Sequence, residues 1–252
     1  MTTSSQPDPA KLAASRAAVA LVQDGMKLGL GTGSTASIMV EVLAERARTE
    51  GLSLRCAATS KATAELAARL GLRVESLDDI GWLDLTIDGA DEVDPDLSLI
   101  KGGGGAHLRE KIVARASDRM VVIADPGKVV DRLGAFHLPV EVVPFGFDAT
   151  RVLIQRALDG LDLADRPVLQ RMRGDAPFVT DEGNFILDLS LEVIPDAPAL
   201  ARALSAIPGV VEHGLFLGIC DLAIIGRPDG SVAELRRPEE GEVPVADEDT
   251  AP

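Results

Sequence analysis

Through the first half of the chain, short apolar runs alternate with longer stretches whose apolar residues recur every three or four positions. Short continuous or alternating runs are the signature of strands, and the longer period is that of helices. On this basis Lys11–Val22 is a helix with Leu12, Val19 and Val22 available for its inner face, ended by Gly25. Lys27–Gly31 is a strand, Ala36–Arg48 a helix, Leu54–Ala58 a strand and Ala62–Leu70 a helix stopped by Gly71. Arg73–Glu75 reads as a third short strand, and Asp84–Asp88 as a fourth, with Leu85 and Ile87 alternating. After the run Leu97–Ile100 come four glycines, and then Leu108, Ile112 and Ala116 at the i, i+4, i+8 spacing of a helix's apolar face. Arg119–Ala124 is another apolar strand. Strands alternating with helices predict a mostly parallel sheet with right-handed crossovers.

The pattern changes at Leu138-Pro139. Val140–Phe145 is a strand and Ala149–Leu161 a helix, followed by strands at Pro167–Met172 and Pro177–Thr180. Asp181-Glu182-Gly183-Asn184 is a hairpin turn into the strand Phe185–Leu189. A helix over Pro198–Ile207 and a strand over Gly209–Phe216 complete a small α+β unit of the split βαβ kind. Leu222–Ile225 and Ser231–Leu235 return as strands to the first sheet. Residues 1–10, rich in Ser, Thr and Pro, and the acidic residues 238–252 carry too little apolar content to fold and are expected to be disordered.

Ligands of open parallel sheets bind outside the carboxyl ends of the strands. Three polar loops leave strands at that edge: Thr32–Thr35, Thr59–Lys61 and Asp88–Asp91. Lys128, just past the strand that ends at Ala124, joins them as a counter-charge for a phosphate. The first loop has the strand, Gly/Ser/Thr turn and helix order of a phosphate cradle, since hydroxyls and free N–H groups at a helix start bind anions. The alternative is a plain helix cap from Ser34 or Thr35. Neither G-x-G-x-x-G nor G-x-x-x-x-G-K-[ST] occurs. Within Asp84–Lys111 the chain also carries carboxylates at a strand end, the ammonium of Lys101, the glycine run Gly102–Gly105 and the helix-borne Glu110. Four adjacent glycines are costly in backbone entropy. A loop of main-chain donors leading into a helix suits an oxyanion. A base, an electrophile and hydroxyl-handling acids form the equipment for moving a proton next to a carbonyl.

Composition narrows the partners. The formal net charge of −15 argues against nucleic acid or an anionic membrane surface. Cys56 and Cys220 lie far apart in apolar stretches and read as buried thiols. His107, His137 and His213 show no metal-ligand spacing. No apolar run reaches membrane-spanning length and the polar N-terminus is not a signal peptide, so a cytoplasmic location is expected.

Seven segments together resemble ribose-5-phosphate isomerases of the A type: GLGTGSTA (Gly29–Ala36), DLTIDGADEVD (Asp84–Asp94), IKGGGGA with REK (Ile100–Lys111), IAD-x-x-K (Ile123–Lys128), LPVEVVPF (Leu138–Phe145), TDEGNFILD (Thr180–Asp188) and IPGVVEHGLF (Ile207–Phe216). The resemblance implies an α/β fold, with a Rossmann-like, mostly parallel catalytic domain over 11–138 and 218–237. It also implies a smaller α+β, ferredoxin-like domain over 139–217. It implies interconversion of D-ribose 5-phosphate and D-ribulose 5-phosphate, the non-oxidative pentose phosphate step, through a cis-enediol(ate), with no cofactor and no metal, in a homodimer or homotetramer. Glu110 matches the family's general base, and its place near a helix N-terminus is expected to keep it ionised. Lys101 and the N–H groups of Gly102, Gly103 and Gly104 would hold the enediolate oxygen. Asp88 and Asp91 match the carboxylates that handle hydroxyl protons and help open the ring. Thr32, Gly33, Ser34, Thr35, Gly89, Ala90 and Lys128 match substrate-binding positions. The chain departs from the family at His107, where an apolar residue is expected and the imidazole reads as a solvated substitution in preference to a modest tuner of Glu110. It departs also at Lys61 and in the acidic tail. Two other functions compete. One is a sugar-phosphate-binding regulatory module on a related fold. The other is a nucleotide-dependent dehydrogenase or transferase, against which Glu50 stands before rather than after the second strand.

Overall fold

The computed structural model describes residues 7–236; the expectations for residues 1–6 and 237–252 lie outside them. Among the described residues, six strands form the main sheet in the order 232–236, 222–226, 120–124, 85–89, 27–30, 55–58. All neighbours are parallel except the edge hairpin of Leu222–Gly226 with Val232–Arg236. Met120–Ala124 and Leu222–Gly226 are buried at every position, as strands covered on both faces should be. Helices Pro9–Val19, Ser34–Glu50 and Lys61–Arg69 cover one face, over a core that includes Leu28, Leu30, Met39, Leu43, Ile87 and Ile123.

The first helix begins at Pro9, before the expected Lys11, because Asp8 accepts from the N–H groups of Ala10 and Lys11 and proline is tolerated in a first turn. Its inner face is Ala14, Ala18 and Val19 rather than Leu12. Small residues are required there because the backbone of Ala10 lies against Gly226. The predicted strand Arg73–Glu75 shortens to a single parallel bridge of Val74 with Cys56 at the sheet edge, in which Arg73 O accepts from the Cys56 N–H and the Glu75 N–H donates to Cys56 O, both at 2.9 Å.

A second sheet, fully antiparallel, runs in the order 210–213, 138–142, 185–189, 168–170. With helices Phe147–Asp159 and Ala197–Ser205 it has the βαββαβ connectivity expected of the small unit. The predicted strand Pro177–Thr180 is replaced by Ala176–Pro177 against Met172–Arg173; beyond it the Phe178 N–H still reaches Arg171 O, but the Thr180 N–H turns to Asn184 O at 2.9 Å. Glu92–Val93, Leu99–Ile100 and Leu215–Phe216 make a small antiparallel sheet, and Lys101 N–H donates to Gly214 O at 2.9 Å. The chain just before the glycine run is therefore hydrogen-bonded to the chain leaving the second sheet. A second tie lies nearby. Asp181 accepts from the Lys61 N–H at 2.8 Å, and Arg109 pairs with Glu182. Among the described residues no helix is long and apolar enough to cross a membrane.

Candidate active site

One cleft at the carboxyl edge of the main sheet is lined by Thr32–Ala36, Gly89–Asp91, Lys101–Gly104, Glu110, Lys128 and Lys11. It encloses about 140 Å³. That is below the range of roughly 300–1,000 Å³ typical for drug-sized ligands, so a small polar ligand fits better than a dinucleotide.

At one end lies the helix Ser34–Glu50. Its cap is Gly33, with φ 116°, and no side chain caps the leading N–H groups. The alternative of a Ser34 or Thr35 cap therefore fails, and the leading N–H groups face the cleft unclaimed by a side chain, as an anion site requires. Lys11 Nζ donates to Ser34 Oγ at 2.9 Å, and Lys128 stands on the cleft wall over the Phe136 ring. Sequence reasoning missed Lys11. Its one signal is a basic residue on a helix preceding the loop in the chain, and only the fold brings the two together. Thr32 Oγ1 bonds Thr59 Oγ1 at 2.7 Å and Ser60 Oγ at 2.8 Å, so Thr59 and Ser60 brace the first loop from behind. Lys61 turns away to the Asp181 carbonyl.

At the other end, three ionisable groups are nearly sealed from water. Lys101 Nζ lies 3.1 Å from Asp88 Oδ2 and 3.4 Å from Glu110 Oε2, and it also donates to Gly89 O. Asp88 Oδ1 accepts from Thr32 N–H at 3.0 Å and from Gly89 N–H at 2.7 Å. A Cβ at Gly31 would fall 2.0 Å from that same oxygen, so only glycine lets the first loop and Asp88 meet. Burial opposes the Lys101 charge, but Asp88 and Glu110 outweigh it and hold the ammonium above its ordinary range. Burial raises Asp88 despite Lys101. Burial also pushes Glu110 up to about 8, against the pull of Lys101 and reinforced by Asp88 and Asp91. Two carboxyls facing one cation hold a proton between them. The expectation that a helix N-terminus keeps Glu110 ionised is thus corrected: the dipole contributes less than desolvation costs.

Glu110 sits in the first turn of His107–Arg115, whose buried face is His107, Glu110, Val113 and Ala114. The predicted face is corrected, since Ile112 is half exposed and Leu108 lies toward the outside. The sequence places a charge and an imidazole where an apolar stripe would normally sit. His107 is not solvated but wholly buried. Burial and the nearby Lys111 and Arg171 push it down to about 3, so it stays neutral. It packs beneath Gly102, where φ is +105° and an added Cβ would lie 2.7 Å from His107 Nδ1. Of the glycine N–H groups, that of Gly103 donates to Asp91 Oδ2 at 2.7 Å and fixes that carboxylate on the cleft wall.

The family model for ribose 5-phosphate isomerase A (phosphoriboisomerase A) matches residues 55–230. The ribose-5-phosphate isomerase A of Cereibacter sphaeroides is 61% identical over 226 residues, 90% of this chain and 86% of that one. The chain belongs to the ribose 5-phosphate isomerase A family. Among solved structures, the ribose 5-phosphate isomerase of Plasmodium falciparum superposes with a TM-score of 0.86 at 34% identity, covering 93% of this chain and all of that one. A D-ribose-5-phosphate isomerase in complex with phospho-erythronic acid superposes at 0.83 with 35% identity, covering 90% and 97%.

Proposed function

We propose that the chain interconverts D-ribose 5-phosphate and D-ribulose 5-phosphate, with Glu110 carrying one proton between C2 and C1 on one face of a cis-enediol(ate). The observation that supports this best is the sealed group of Asp88, Lys101 and Glu110, in which Lys101 and Glu110 line the cleft that also holds the uncapped helix start and Asp88 lies buried behind Lys101. The phosphate sits on the Gly33–Ala36 N–H groups, with Lys11 and Lys128 as counter-charges. That places the other end of a five-carbon chain at Glu110 and Lys101. Lys101 is positive throughout, so it stabilises the oxygen that becomes negative when the C2 proton leaves, and the Gly104 N–H adds to it. Asp88 and Asp91 move protons between the O1 and O2 hydroxyls and assist ring opening. Glu110, raised by its burial, is a base of moderate strength near neutral pH, where it can both take a proton from carbon and return it. No cofactor or metal enters these steps. The two pentose phosphates are the partners of a cytoplasmic homodimer or homotetramer.

The test is interconversion of the two sugar phosphates with EDTA present. Glu110→Gln loses about 10²–10⁴-fold or more in kcat while still binding substrate. Near-parental turnover by Glu110→Gln overturns the assignment of the base. Binding by the parent with no turnover points instead to a sugar-phosphate sensor.

A further inference from the structure

The glycine run needs an aim as well as flexibility. Arg171, which follows the strand Val168–Gln170, reaches across from the second sheet and grips this loop from behind. Its Nη1 donates to Gly102 O at 2.8 Å and to Gly103 O at 3.1 Å. Its Nε donates to Asp188 Oδ2 at 2.8 Å, and Nη2 pairs with the other Asp188 oxygen, so the guanidinium is held as a fork. In a trans peptide the carbonyl of one residue and the N–H of the next point in opposite directions. Fixing the carbonyls of Gly102 and Gly103 on the Arg171 side therefore turns the N–H groups of Gly103 and Gly104 toward the other side. The Gly103 N–H does reach Asp91 on the cleft wall, 2.7 Å away. The first plane has other ties, since Gly102 O also accepts from the Gly105 N–H at 2.9 Å and the Gly103 N–H is held by Asp91. The second, between Gly103 and Gly104, is gripped at its carbonyl by Arg171 and would rotate at little steric cost without it.

We infer that Arg171, held by Asp188, is a positioning residue that orients the Gly103 and Gly104 N–H groups toward Asp91 and the developing enediolate. Arg171 does not line the cleft and would touch no reacting atom. The inference rests on the isomerase reading above. It makes the second sheet a working part of the site: the strand Phe185–Leu189 carries Asp188, Asp188 fixes the fork, and the fork sets two peptide planes.

Arg171→Ala, Arg171→Lys and Asp188→Asn are to be assayed beside the parent, with inhibition by inorganic phosphate and by phospho-erythronic acid measured for each. A lost oxyanion donor costs about 10²–10³-fold in kcat, so a donor left present but poorly aimed should cost about 10–100-fold in Arg171→Ala, with KM within about threefold. Phosphate inhibition stays within about twofold, because the phosphate end is untouched. Phospho-erythronic acid, whose carboxylate carries negative charge as the enediolate does, weakens by about tenfold. Arg171→Lys, with one point charge in place of a fork, falls between Ala and the parent, and Asp188→Asn loses least. A merely structural role would lower thermal stability and weaken both inhibitors alike. That pattern overturns the inference, as does a kcat within about threefold of the parent. If Arg171→Ala does not fold, the same two criteria apply to Arg171→Lys and Asp188→Asn. A parent that fails to isomerise sinks the proposed function, whereas an active parent with an indifferent Arg171→Ala sinks only this step.

Discussion

The two ends of the cleft solve opposite problems. The Thr32–Ala36 end is open and built of main-chain N–H groups, with its two lysines on the rim. The Asp88–Lys101–Glu110 end is closed, and its three ionisable groups have almost no contact with water. An open end can bind a dianion and release it, because solvent competes at every step. A closed end makes each electrostatic contact worth more and moves proton affinities far from their solution values. Binding shared by substrate and transition state is thus assigned to one end, and stabilisation that grows during the reaction to the other. Substitutions at the closed end should act on kcat and on stability; those at the open end should act on KM.

The largest effect is expected for Lys101→Met. It removes the positive charge proposed to stabilise the enediolate oxygen and leaves Asp88 and Glu110 facing each other without a cation. Loss of a main oxyanion stabiliser predicts a kcat lower by about 10³-fold, and breaking a buried ion pair costs about 3–5 kcal/mol of stability. Steady-state kinetics and thermal unfolding read the two separately. A raised KM with kcat intact would break the division between the ends.

Next in size is the stability of Glu110→Gln against pH. Below 4.5 the Glu110 carboxyl is neutral in folded and unfolded chains alike, so its contribution to the fold is fully present. As pH rises the unfolded chain ionises first, and the contribution is lost by the time pH passes about 8. Glutamine has nothing to lose. Glu110→Gln should therefore match the parent near pH 4 and exceed it at pH 9 by a few kcal/mol, an order-of-magnitude figure from the displaced pKa. Parallel melting curves across that range would show that Glu110 ionises freely in the folded protein, and the closed end would lose its distinction.

Lys128→Ala tests the open end. Losing one rim charge predicts a KM raised about 10-fold with kcat within about threefold, and a weaker dependence of KM on salt. A fall in kcat with KM unchanged would mean that the far end of the substrate also drives the chemistry.

The order of elements and the edge bearing the cleft were legible because both depend on local signals: period, glycine stops, and polar residues at strand ends. DGAD and KGGGGA…REK marked Asp88, Lys101 and Glu110 for the same reason. What stayed hidden depends on long-range packing. Lys11 meets Ser34 from a helix 23 positions earlier. Arg171 meets Gly102 across 69 positions. No periodicity reports either contact. The face of the Glu110 helix was misread because periodicity assumes that apolar residues turn inward. Here the inward positions are taken by Glu110 and His107, and Ile112 is left outside. The pKa of Glu110 was misjudged on the same ground, because helix position can be read from sequence and burial cannot.

His107→Leu gives the smallest effect and the sharpest test of why that face is polar. Both ring nitrogens of His107 are buried without a hydrogen-bond partner, and the nearest carboxylate, Glu141, is 4.0 Å from Nε2. The Glu212 backbone offsets only part of what burial costs this group. Leucine fills similar space beneath Gly102 and removes two orphaned polar atoms, which predicts a gain of about 1 kcal/mol at pH 7. The gain should widen in acid. Above pH 6.5 the imidazole is neutral in both states, but as pH falls the unfolded chain takes a proton that the folded one refuses until about 3, so the parent loses stability across that window. The leucine variant has no such loss. Turnover should change little, because His107 supports the loop from below and no ligand-facing group changes. If His107→Leu melts below the parent at pH 7, the imidazole stabilises the loop through Glu141 after all, and the closed end extends one layer deeper than Glu110.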